Sequence, residues 1–210
     1  MTSRNLISAL VLGVLFSVLS YLLLDQSLAT LTLVQEARAI RIWQLITELG
    51  NSAWMGISVI FIWLMALALS KARPENPAWP TLSKRATIVF TAVAVPGILV
   101  MIIKGIVGRA RPYHAIEMGG DMVFAPFSFT SEFASWPSGH ATTTFAFAAI
   151  VGLYFPRLRW LLYLLAALTA YSRLALGVHY FGDVIMGAVW GTVCAMAVYN
   201  YFTPQPDKKS

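Results

Sequence analysis

The feature that most constrains this chain is the recurrence of long apolar runs, at residues 6–24, 54–69, 86–107, 142–155, 160–176 and 184–202. A helix that crosses a hydrocarbon core about 30 Å thick needs about 20 mostly apolar residues. The backbone within such a core must satisfy its own hydrogen bonds, which leaves helices for segments of this length. Composition agrees: 58% of the 210 residues are hydrophobic and 11% are charged, against about 25% charged in ordinary soluble domains. The expected fold is therefore all-α, a single integral membrane bundle of six transmembrane helices covering residues 1–210. The run at 6–24 is longer than the usual apolar core of a signal peptide, so it reads as an uncleaved helix despite the Ser27-Leu28-Ala29 stretch after it. Pro96 falls inside the third run and is expected to kink it.

Basic residues in short loops set the expected orientation. With the N-terminus inside, Arg4, Lys71, Arg73, Lys84, Arg85, Arg157, Arg159, Lys208 and Lys209 fall on the cytoplasmic side, against Arg38, Arg41, Arg109, Arg111 and Arg173 outside. Both termini are then cytoplasmic. The same distribution accounts for the net charge of +6 without nucleic acid as a partner. The lone Cys194 excludes an intrachain disulfide and a thiolate metal cluster. Residues 71–85, with Pro74, Pro77 and Pro80, read as an irregular linker, and residues 25–50 as an interfacial helix.

Ionisable residues at membrane depth mark sites or pathways, and three clusters stand at the outer ends of the expected helices. In the first, Lys104 and Arg111 are seven residues apart, about two helical turns, which would put two cations on one face. Two cations held together call for an anion, and phosphate suits a Lys point charge beside an Arg fork; basic snorkelling at a helix end is the plainer alternative. The second cluster is Pro137-Ser138-Gly139-His140, ahead of an apolar run. A helix start offers free N–H groups to an anion, and Gly139 permits close backbone approach; a simple helix start with an incidental His has equal weight. The third joins Ser172-Arg173 to His179 and Asp183. If helical, the four-residue spacing lets the carboxylate orient the imidazole, although a buried His–Asp pair can also be purely structural.

Taken together, Lys104-x6-Arg111-Pro112, Pro137-Ser138-Gly139-His140 and Ser172-Arg173-x5-His179-x3-Asp183 resemble, in order and spacing, the three signature motifs of the type 2 phosphatidic acid phosphatase (PAP2) family. The resemblance implies a membrane phosphatase acting on a lipid phosphate or pyrophosphate, such as phosphatidic acid, phosphatidylglycerophosphate, undecaprenyl pyrophosphate or lipid A. It implies His179 as the nucleophile that becomes a phosphohistidine, Asp183 as its orienting group, and His140 as acid and then base. Lys104, Arg111, Ser138, Gly139 and Arg173 would hold the phosphoryl oxygens. The six-span plan is similar to that of bacterial members of the family, which implies an inner (plasma) membrane location with the site facing outward. Three cations and a helix N-terminus can neutralise a phosphoryl group by themselves, so neither a metal nor another cofactor is expected. The partners are then the lipid substrate and the bilayer. A phosphotransferase on the same scaffold is the nearest alternative, and a transporter is disfavoured because the polar groups gather at one side. His114 and the aromatics Phe124, Phe127, Phe129, Phe133 and Trp136 lie outside the motifs. His114 could touch a headgroup and the aromatics could form a rim that guides a lipid tail, with an interfacial His and an ordinary aromatic belt as the plainer readings.

Overall fold

The computed structural model of the chain describes residues 2–32, 37–119 and 123–204. The helices in order are α1 (Ser3–Leu23), α2 (Asp25–Thr32), α3 (Ala37–Thr47), α4 (Ser52–Ala72), α5 (Ala78–Val107), α6 (Pro112–Glu117), α7 (Gly139–Tyr154), α8 (Arg159–Ala175) and α9 (Phe181–Phe202), with short 3-10 turns at Glu48–Gly50 and Pro156–Leu158. Among the described residues there is no strand, only an isolated bridge between Arg109 and Phe124. The chain is an all-helical membrane protein. Four stretches are long and apolar enough to cross a bilayer: Ser3–Leu23, Ile40–Ala72, Ala78–Val107 and Phe181–Phe202. Helices α7 and α8, expected as spans, have 16 and 17 residues, or roughly 25 Å at 1.5 Å per residue, short of a core of about 30 Å.

Helix α1 shows which solvent the outside expects. It buries Gly13, Ser17 and Ser20 against the protein, while Leu12, Leu15, Phe16, Leu19, Leu22 and Leu23 are exposed. Large apolar side chains outward and small or polar ones inward is the arrangement of a helix that packs by close approach within lipid. The interior follows the same rule. Its main cluster joins Val59 of α4, Ile88, Val89 and Val93 of α5, Ala146, Ala149 and Ile150 of α7 and Ala195 of α9. Helix α9 lies directly on α7: a Cβ on Gly187 would come within 2.5 Å of the Ser138 carbonyl oxygen, and one on Gly191 would run into that of Thr142.

Several expected boundaries differ. Helix α5 begins at Ala78, so the irregular linker is confined to residues 73–77; Pro80 is accommodated in the first turn, where its missing N–H leaves no bond unmade. The helix runs unbroken through Pro96. The interfacial stretch is two helices, α2 and α3, rather than one, and Trp43 of α3 meets Tyr171 of α8 edge to face with ring centroids 5.0 Å apart. Lys208 and Lys209, used in the sequence reading, lie outside the described residues.

Hydrogen bonds between distant segments bring many helix ends to one place. Asp25, just after α1, pairs with Arg109, just after α5, at 2.8 Å, and Arg109 reaches Asp183 in the first turn of α9 at 2.6 Å. Thr143 near the start of α7 donates to the Gly50 carbonyl ahead of α4 at 3.1 Å. Arg173, near the end of α8, donates to Thr47 at the end of α3 at 2.7 Å. The C-terminal ends of α1, α5 and α8 thus share one end of the bundle with the N-terminal ends of α4, α7 and α9.

Candidate active site

The segment that follows α5 builds one wall of the site. Gly108 takes a left-handed conformation (φ 58°) and ends the helix, with its N–H on the Lys104 carbonyl. A Cβ there would collide with the Ala125 carbonyl. The chain then runs extended, laced to the following loop by Ala110 N–H to Val123 O (2.9 Å), Arg111 N–H to Glu132 O (2.8 Å) and Ser135 N–H to Arg109 O (3.0 Å). Arg109 and Arg111 are therefore held on a braced strap. The expectation that Lys104 and Arg111 share a helical face is not met: α5 stops between them, and Arg111 is the N-cap of α6. They converge by loop geometry instead, within electrostatic reach of one another and of Arg173. Lys104 Nζ donates to the Ala134 carbonyl at 2.5 Å.

Helix α7 begins as its sequence suggests, with Ser138 at the N-cap. A serine there ordinarily accepts a bond from the first turn, but the Ser138 side chain makes no capping bond, and its buried hydroxyl has no protein partner. The hydroxyl and the first N–H groups of α7 remain available together. His140 lies one residue into the helix, within reach of the charges of Arg173, Lys104 and Arg111. It also packs against the backbone at Gly50, where an added Cβ would meet its Cδ2 at 2.8 Å.

His179 precedes the N-cap of α9, so its pairing with Asp183 is not a contact along one helix as the spacing suggested. Asp183 instead folds back over the helix start. Its Oδ2 accepts the Tyr180 N–H at 2.9 Å and the Ser135 hydroxyl at 2.5 Å, and lies 3.5 Å from His179 Nδ1. That last distance is loose for a hydrogen bond, as is common where tightening awaits a ligand. Burial pushes the His179 imidazole down to about 3, with Asp183 pulling upward and Lys104 and Arg173 adding to the downward push. The ring is neutral near pH 7, and the neutral ring carries the lone pair needed for attack.

His140, His179, Asp183, Lys104, Arg111, Ser138, Gly139 and Arg173 thus come from four helix ends and one strap into one region. The buried Nε atoms of Arg111 and Arg173 share with the Ser138 hydroxyl the lack of a protein partner. Buried donors without partners are rare in proteins, and three at one place make a receptor for an anion with several oxygens. A cavity of about 390 Å³ adjoins them, touching Lys104, Gly139 and His140 and otherwise lined mainly by apolar residues of α4, α5 and α7 such as Met55, Val93 and Phe147. Phe90, Ile98 and Met101 line it and are also exposed on the outer surface.

A family model described as the PAP2 superfamily matches residues 85–207, more than half of the chain. The chain belongs to the PAP2 superfamily. It is 37% identical over 156 residues to the lipid A 1-phosphatase of Rhizobium johnstonii, a match covering 70% of this chain and 62% of that protein. It is 35% identical over 92 residues to the lipid A 4'-phosphatase of Bacteroides thetaiotaomicron, covering 42% of this chain and 40% of that one. The chain therefore spans less than two thirds of the length of these relatives. In fold it is similar to the crystal structure of the transmembrane PAP2 type phosphatidylglycerolphosphate phosphatase from Bacillus subtilis, with a TM-score of 0.68 and 19% identity over 97% of this chain and 98% of that one.

Three residues in contact with this candidate site escaped the sequence reading. Arg109 is 3% exposed and bridges Asp25 and Asp183, and Asp25 and Ser135 are fully buried. The available signal was the cost of charge: Asp25 closes an apolar run, and a carboxylate at that depth requires a partner. His114 stands apart from the cluster, 3.3 Å from Glu117 Oε2 and edge to face with Phe133. Phe127 and Phe129 are exposed, while Trp136 donates its indole N–H to Ser17 Oγ at 2.8 Å.

Proposed function

We propose that this chain is a membrane lipid phosphatase that hydrolyses a lipid phosphate or pyrophosphate through a covalent phosphohistidine. The observation that carries the reading is the group of unpartnered buried donors on Arg111, Arg173 and Ser138 beside a neutral, buried His179. With Nδ1 turned to Asp183, Nε2 is the atom free to attack phosphorus. As the N–P bond forms, the bond from phosphorus to the lipid oxygen breaks, and His140 gives that oxygen its proton. His140 is held as the imidazolium once the bound phosphoryl dianion offsets the cations of Arg173, Lys104 and Arg111 around it. His140 then takes a proton from water, whose oxygen displaces His179 and releases phosphate. Lys104, Arg111 and Arg173 neutralise the equatorial oxygens, and Ser138 with the first N–H groups of α7, including that of Gly139, adds further donors. These cations do the neutralising that a metal does elsewhere, so turnover is expected to survive EDTA.

The apolar cavity beside Lys104 and His140 favours a substrate with a hydrocarbon tail over a soluble ester. The similarity to lipid A 1-phosphatase makes a glycolipid 1-phosphate the first candidate, ahead of phosphatidic acid, phosphatidylglycerophosphate and undecaprenyl pyrophosphate. The shared end of α1, α4, α5, α7, α8 and α9 supports six alternating crossings in one domain, with α7 and α8 as short ones. The basic-residue distribution supports cytoplasmic termini and an outward-facing site in a bacterial inner membrane. The test is phosphate release from these four lipids by the purified protein in detergent, with and without EDTA, alongside labelling of an acid-labile, base-stable phosphoenzyme. Release from none of them, or transfer of phosphate to a lipid hydroxyl without release, overturns the hydrolase reading. An impermeant maleimide applied to intact spheroplasts, with a cysteine placed at Glu132 in a Cys194→Ser background, tests the side: labelling only after lysis reverses the orientation.

A further inference from the structure

The three motifs do not use Asp25, yet it is among the most completely enclosed polar groups in the molecule. Its side chain is 0% exposed. One carboxylate oxygen accepts the Ser20 hydroxyl at 2.6 Å and the Gly182 N–H at 2.9 Å. The other meets Arg109 Nη2 at 2.8 Å. The remaining terminal nitrogen of Arg109, Nη1, holds Asp183 Oδ1 at 2.6 Å, and its guanidinium lies 4.0 Å over the Tyr180 ring. One guanidinium therefore bridges two buried carboxylates, one of which faces His179.

We propose that Asp25 is a positioning residue for the phosphatase reaction: by compensating Arg109, it leaves Asp183 the negative charge that supports His179. The charge argument is direct. Arg109 alone with Asp183 would make a neutral pair, and the imidazole would face no net counter-charge as it turns cationic on bonding to phosphorus. With Asp25 ionised, the three groups together keep one negative charge in excess on the side of His179. That excess matters because the other charged groups around His179, Lys104 on α5 and Arg173 on α8, are both positive. Asp25 also fixes the start of α9 through the Gly182 N–H, so position and charge at Asp183 are set by the same carboxylate. A plain structural pair would need neither a second carboxylate on Arg109 nor a bond to the backbone beside Asp183.

This inference rests on the reading of His179 as the nucleophile, and the experiment separates the two. The full chain in detergent is assayed with lipid A, and orthophosphate is used as a competitive inhibitor that reports the anion receptor. Asp25→Asn is expected to lower kcat about thirtyfold, with KM and orthophosphate inhibition changed by less than about twofold, because transition-state charge is lost and ground-state binding is not. Asp25→Glu, which keeps the charge, is expected to stay within about fivefold of wild type. The decisive arm is Asp25→Asn combined with Arg109→Gln, which removes one charge of each sign and leaves a donor for Asp183. That double variant is expected to turn over about tenfold faster than Asp25→Asn alone, whereas on a purely structural role it is the slower of the two, because it also leaves Asp183 buried without its counter-ion. Should Asp25→Asn not be recovered folded, Ser20→Ala removes one of the bonds on Asp25 and is expected to lower kcat about threefold at constant KM. Wild-type kcat in Asp25→Asn or in Ser20→Ala, or a double variant no faster than the single, overturns the role of Asp25. Phosphoenzyme labelling that persists in His179→Ala overturns the nucleophile reading instead, whatever Asp25 does.

Discussion

Arg109 and Arg111 are two residues apart on one strap and do opposite things. Arg109 is enclosed, with carboxylates of the protein on both terminal nitrogens and an aromatic face beneath it. Arg111 is half-buried, and among the described residues no carboxylate pairs with it. One cation completes a network within the fold, and the other is the one that the proposed reading gives to a phosphoryl group. The difference teaches that a charge near a membrane protein's active site is read from what answers it, since residue type and distance from the motif are nearly the same for both.

The comparison breaks first at His179. His179→Ala is expected to lower phosphate release by more than about a thousandfold while leaving orthophosphate binding in place, since the nucleophile is lost and the anion receptor is not. Retention of a tenth of the activity in the purified variant shows that another group attacks phosphorus. Arg109 and Arg111 then separate by kind of damage. Arg109→Ala leaves two carboxylates buried without a counter-ion, a loss of about 3–5 kcal/mol, and is expected to show as low yield and a lowered Tm by detergent-based thermal unfolding. Arg111→Ala is expected to keep wild-type Tm and to lose about a hundredfold in kcat/KM, as a charge-assisted contact to a desolvated anion is removed. Equal Tm values for the two variants abolish the distinction.

His140 sharpens the same comparison from the acid–base side. His140→Ala is expected to lose about tenfold more rate on an alkyl lipid phosphate than on an aryl phosphate, whose oxygen leaves without a proton. Matching losses would assign leaving-group protonation elsewhere. The smallest effect is expected in the cavity. Gly97 has room for a side chain, with Thr143 Cγ2 3.7 Å from an added Cβ, so Gly97→Leu fills apolar space without forcing the backbone. KM for a long-chain lipid phosphate is expected to rise about fivefold, and that for an aryl phosphate to stay unchanged. A parallel rise for both would remove the cavity from tail binding.

The residues of the candidate site were legible in the sequence because polar groups at membrane depth are conspicuous and because their spacing resembles a known signature, and the structure gathers them in one region. The backbone reasons for their meeting were less so. Lys104 and Arg111 looked like two turns of one helix, but Gly108 adopts a left-handed turn that ends α5 between them. His179 and Asp183 looked like a helical pair, but α9 begins after His179 and the carboxylate reaches back over the helix start. Asp25 and Arg109 were visible only as charges near helix ends. Their partnership joins positions 84 residues apart, and one sequence contains no rule for pairing such distant charges. The membrane class was plain from composition, whereas span limits near 139–154 and 159–175 depend on turns that the apolar pattern does not mark.

The contact between α9 and α7 at Gly187 and Gly191 has an evolutionary consequence. At these two positions the helix that bears Asp183 rests directly on the backbone of the helix that bears His140, with only hydrogen where a side chain would stand. Substitution at these two positions therefore has little room on the side that carries the proposed catalytic residues. Across the cavity, Gly56 and Gly97 stand beside open space, where single substitutions can change the accepted tail and leave the catalytic face alone. On the proposed reading, substitutions at Gly56 of α4 and Gly97 of α5 are the ones expected to change the accepted tail, while side chains at Gly187 and Gly191 are expected to be excluded.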